Sequence, residues 1–98
     1  MSVLMTMRVH GDPKSVEHED KALMKSIAER GKEHGVISHH FYGSDDEVLV
    51  IDEWPDEESF QRFFEATPEI QGIVQRAGAT AAPDVMFWHH LETGDDIG

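Results

Sequence analysis

The sequence predicts an α+β domain in which two strand-helix-strand halves build one antiparallel sheet, and that sheet pairs with the sheet of an identical chain. Three observations predict it. Apolar residues alternate at period two near the start, stripes at helical spacing follow in two places, and two later strands are apolar on both faces.

The first strand is read from Val3 to Val9, where every odd position is apolar. His10-Gly11-Asp12-Pro13 is a turn, with Asp12 suited to cap a helix that starts on Pro13. That helix is expected to run unbroken to Gly35, with Val16, Leu23, Ile27 and Gly31 along one stripe and Glu17, Lys21, Lys25 and Glu29 on the wet side. Strand two covers Ile37 to Tyr42 and strand three Glu47 to Glu53, joined through Gly43-Ser44-Asp45-Asp46 as a hairpin. Pro55 and Asp56 end the strand and open a second helix whose buried face is Phe60, Phe63 and Phe64. Thr67-Pro68 breaks it, Thr67 being the expected cap of a continuation that carries Ile70, Ile73, Val74 and Ala77 to a stop at Gly78. The last strand is expected from Val85 to Glu92. Residues 1–93 are one domain, and 94–98 form a short acidic tail.

This βαββαβ order is the ferredoxin-like arrangement, with strands one and three central and strands two and four at the edges. Two helices cover one face only. Val48-Leu49-Val50-Ile51 and Val85-Met86-Phe87-Trp88 therefore leave apolar side chains on the other face. A 98-residue domain has a small core. Each large side chain buried there is worth roughly 1.5 to 3 kcal/mol, so a homodimer is the economical cover.

Composition narrows the function classes. Asp and Glu number 20 against 8 Lys and Arg, a formal charge of −12. Such a field repels phosphate backbones and anionic lipid, which argues against nucleic-acid and membrane partners. There is no cysteine, so disulfides, thiolate metal sites and thiol nucleophiles drop out. With no basic leader and no apolar run of membrane length, the chain reads as cytoplasmic.

Residues 40 to 73, with Glu53-Trp54, the acidic helix start, Phe60 and Thr67-Pro68, resemble the antibiotic biosynthesis monooxygenase-like superfamily of dimeric α+β barrels. The resemblance implies sheet-to-sheet dimers that hold a small apolar molecule between sheet and helices. It implies oxygenation of an aromatic or quinol-like compound with no bound cofactor, or alternatively a binding module without catalysis. Two departures stand out. Where many members carry histidines on the second helix, this chain has Phe63 and Glu69, and the asparagine, tryptophan and histidine of the haem-degrading branch are not matched, the chain having no asparagine.

Seven histidines include the adjacent pairs His39-His40 and His89-His90. Neighbours on a strand face opposite ways, so one of each pair should look toward the helices. The two pairs fall on opposite edges, roughly 14 Å apart at about 4.8 Å per strand, which disfavours a shared metal. The candidate acid-base groups are thus His39, His40, His89 and His90, with no metal. Tyr42, Trp54, Phe63, Phe64 and Trp88 are the candidate walls for a planar ligand, and the same positions equally suit plain core. Asp52 and Glu53 face opposite ways, leaving one exposed and one in a position to act.

Overall fold

A computed structural model describes all of residues 1–98. The elements run β1 (Val3–His10), α1 (Pro13–Glu17), α2 (Lys21–Glu33), β2 (Ser38–Gly43), β3 (Glu47–Trp54), α3 (Glu57–Glu65), α4 (Glu69–Arg76) and β4 (Asp84–Trp88). The strands form one antiparallel sheet ordered β2-β3-β1-β4, so the ferredoxin-like α+β topology is as the sequence predicts. No helix is long and apolar enough to cross a membrane.

Local chemistry explains most boundaries. Asp12 accepts a hydrogen bond from the Lys14 N–H, and Pro13 fills the first helical position of α1. Asp56 does the same for α3 through the Ser59 N–H, and that bond, more than any other influence, lowers its carboxyl pKa. Both helical halves end alike. Gly35 and Gly78 take φ values of 97° and 90°, and the bonds Val36 N–H to Gly31 O and Ala79 N–H to Val74 O close the last turns.

Three expectations need correction. The first helix is split. Asp20 caps a new segment by accepting from the Ala22 N–H, and Glu19 turns inward to take two hydrogen bonds, both 2.8 Å, from Arg76 on α4. Thr67 does not cap α4. Its hydroxyl donates back to the Phe63 carbonyl at 2.7 Å, and Pro68 stands at the N-cap of α4, which has no side-chain cap bond. Finally, β4 stops at Trp88 rather than Glu92. The pairing with β1 ends at Leu4–Trp88, and β1 itself extends only one residue further, to Val3, so no strand lies opposite His90 onward.

The core sits between sheet and helices. Val3, Met5, Met7 and Val9 of β1 and Val48, Val50 and Trp54 of β3 meet Phe60, Phe63, Ile73 and Val74 there. The opposite sheet face carries Leu4, Leu49, Ile51, Met86 and Trp88 with no helix over it, and Trp88 is 45% exposed. Its indole N–H is nonetheless fixed, donating to the Thr6 hydroxyl at 2.9 Å.

Candidate functional site

The helices do not fill the space above the sheet. A cavity of about 320 Å³ remains between β1 and β3 on one side and α2, α3 and α4 on the other, at the lower end of the usual range for ligand sites. Its wall is almost wholly apolar. Met5, Met7 and Val50 form the floor, Met24 and Ile27 of α2 overhang it, and Trp54 and Phe63 close one end with ring centroids 5.3 Å apart. Lys32, Ile37, His39 and Phe41, all exposed to solvent in part, put the mouth at the free edge of β2.

Four polar side chains, Lys32, Ser38, His39 and Asp52, interrupt this lining, and the last two are bonded to each other. Alternation along β3 sends Val48, Val50, Asp52 and Trp54 inward, so a carboxylate falls in an otherwise apolar row and is only 3% exposed. Cross-strand pairing sets His39 opposite Asp52. The two meet at 2.6 Å between Nδ1 and Oδ1, while the Trp54 indole N–H donates to Oδ2 at 3.1 Å. Burying a carboxylate is costly unless it is satisfied, and here each oxygen has a donor. An indole N–H can only donate, which fixes Asp52 as acceptor on that side. In the tautomer that donates its Nδ1–H to the other oxygen, Nε2 is the ring nitrogen left to accept a proton. A buried Asp that orients a His leaves one basic nitrogen beside an apolar chamber. That arrangement can accept a proton from a bound molecule and return it.

The histidine pairs divide. His39 is on the cavity wall. His40 lies on the opposite sheet face, its ring 6.4 Å from that of Tyr42. His89 and His90 are exposed beyond the end of β4, and His90 contacts Glu92 at 3.5 Å and Asp96 of the tail at 3.1 Å. The aromatic candidates divide for the same reason. Trp54 and Phe63 line the cavity, whereas Tyr42 and Trp88 point to the open face, contrary to the expected shared pocket. Phe64 is partly buried behind Phe60, stacked at 5.6 Å, and does not reach the cavity. No group of three or more His, Asp or Glu side chains is placed to hold one metal ion.

Sequence reasoning missed Phe41 and did not choose between Asp52 and Glu53. Asp52 had a signal: it is the one charged residue in phase with Val48, Val50 and Trp54. Phe41 had a weaker one, its two-residue spacing from His39 on the same strand.

No protein-family model and no curated protein matches the chain. Among solved structures it is similar to SnoaB, a cofactor-independent oxygenase from Streptomyces nogalater, at 20% identity over 97% of this chain and 98% of that one, with a TM-score of 0.62. It is also similar to an antibiotic biosynthesis monooxygenase, at 14% identity over 93% and 99% of the two chains, TM-score 0.62. A third likeness is a dimeric ferredoxin-like protein from an uncultured marine organism, at 10% identity over 93% and 89%, TM-score 0.62. These likenesses establish a fold shared with antibiotic biosynthesis monooxygenase-like proteins.

Proposed function

We propose that this protein takes a small planar aromatic or quinol-like compound into the cavity and oxygenates it with molecular oxygen, His39 acting as the base. The observation that carries the reading is the His39–Asp52 pair set into an apolar chamber. The apolar wall selects a planar, weakly hydrated substrate and keeps bulk water from the reacting anion. His39 Nε2 removes a proton from an activated ring methylene or phenol, and Asp52 stabilises the imidazolium that forms. The electron-rich anion then reduces O2. Over the whole reaction a ring CH2 becomes C=O with one oxygen atom, the other leaves as water carrying both hydrogens, and carbon loses the four electrons that O2 gains. Similarity in fold to the oxygenase SnoaB supports this choice of chemistry.

The working form in this reading is a homodimer joined through the open sheet faces. The exposed Leu4, Tyr42, Met86 and Trp88 support it, as does similarity to a dimeric ferredoxin-like protein. A second reading, a dimer that binds such a ligand without turning it over, draws on Phe63 and Glu69 standing where related proteins have histidines. One experiment separates the two. Oxygen uptake is followed with a panel of hydroquinones, polyphenols and anthrones under air, for the native chain and for His39→Phe. Uptake by the native chain that the variant lacks supports the oxygenase. Ligand binding with no uptake from either protein leaves the module.

A further inference from the structure

A second pocket, of about 500 Å³, lies on the outside of the β2–β3 hairpin against the start of α1, and Val16, Phe41 and Val48 belong to the walls of both it and the inner cavity. Two of these three are buried: Val16 and Val48 are 9% and 4% exposed. Phe41 is not. It is 39% exposed on an edge strand, and it stands outside the group of residues packed into the core. The one aromatic neighbour of its ring is His39, edge-on at 5.1 Å. The hairpin lies close against the start of α1, a Cβ on Gly43 meeting the Pro13 Cβ at 2.8 Å. The strand is paired to β3 while the ring stands part-exposed beside the proposed base, in the walls of both chambers.

From this we infer that Phe41 is a specificity-determining partition: its ring separates the inner cavity from the outer pocket and so sets the length of fused-ring compound that can lie beside His39. The inference rests on the functional reading above and sharpens its substrate class. With the ring in place, the cavity accepts compact two- or three-ring compounds. A longer linear system must displace the ring to extend into the outer pocket, whose wall is polar, with Asp12, Lys14, Ser44 and Asp45. The native protein should therefore discriminate by length, and the discrimination should reside in this one side chain.

The test measures equilibrium dialysis of three probes, a hydroxynaphthoquinone, a hydroxyanthraquinone and a linear four-ring hydroxynaphthacenequinone, against native protein, Phe41→Ala and Phe41→Leu. Phe41 lies outside the core, so both variants are expected to fold, with circular dichroism melts as the check. Phe41→Ala is expected to bind the four-ring probe about tenfold more tightly than the native protein does, a gain on the scale of one well-made contact. Affinity for the two-ring probe should stay within about threefold, and Phe41→Leu should fall between. Equal changes for short and long probes would overturn the partition while leaving the binding cavity intact. Failure of all three probes to bind the native protein would overturn the functional reading and the partition with it.

Discussion

The two faces of the sheet are made of the same kinds of residue and do different things. On the covered face stand His39, Phe41, Asp52, Trp54 and Phe87. On the open face, one position along from His39, Phe41, Asp52 and Phe87, stand His40, Tyr42, Glu53 and Trp88. On the covered face the polar groups are few and bonded to one another, and the aromatics leave a chamber. On the open face the polar groups meet solvent and no helix covers the apolar ones. A functional role here depends less on residue type than on parity along the strand, because a period of two sends neighbours into unlike surroundings.

The sharpest way to break the comparison is to exchange the two histidines' fates. His39→Phe is expected to lower turnover by about 10²- to 10⁴-fold, the usual worth of a positioned proton-transfer group, with ligand binding retained and a lower melting midpoint, because Asp52 loses the donor to one of its oxygens. His40→Phe should leave turnover as it was. Equal losses from both variants in an oxygen-uptake assay would show that parity does not assign the base.

Adjacent residues on β1 give the next contrast. Met5 has 0% exposure and Leu4 has 41%. Met5→Ala is expected to cost about 2–5 kcal/mol, read from denaturant titration, at every protein concentration. The cost of Leu4→Ala should instead depend on concentration, because it acts through association. A Leu4→Ala penalty that stays constant under dilution would count against pairing through the open face.

Association itself can be removed more directly. The native chain should sediment at twice its 11.1 kDa mass at micromolar concentration, and Ile51→Arg, which sets a charge among the open-face side chains, should sediment as a monomer that keeps its far-ultraviolet dichroism. A native monomer would leave the open face without a role.

The smallest effect compares two ion pairs among the helices. Arg76 reaches a buried Glu19 whose side chain is 6% exposed, whereas Arg62 and Glu58 face water one helical turn apart at 63% and 68%. The Arg76 pKa is raised, chiefly by its hydrogen bonds to Glu19. Arg76→Met should lower the thermal midpoint measurably, because it leaves the Glu19 carboxylate in place without its donor. Arg62→Met should barely move it, as expected for an exposed pair. Similar shifts would mean that the Glu19 contact does not pin the α1–α2 junction to α4.

The element order, both glycine-terminated helices, the Asp12 and Asp56 caps and the division of each strand into two faces were all legible in the sequence, because each depends on residues within a few positions of one another. Tertiary structure decided the rest. Which histidine of a pair looks inward depends on which sheet face the helices cover, and that is a relation between distant segments. The end of β4 is where its pairing with β1 stops, at Leu4–Trp88, between residues more than eighty positions apart in the chain. At the break before Asp20, Glu19 meets Arg76, 57 positions away. The cavity itself exists because α2, α3 and α4 stand over the sheet without closing on it, leaving Asp52 and His39 to satisfy one another at its wall. A single sequence carries the alternation that makes such a pair possible. Only the packed chain brings its members within 2.6 Å.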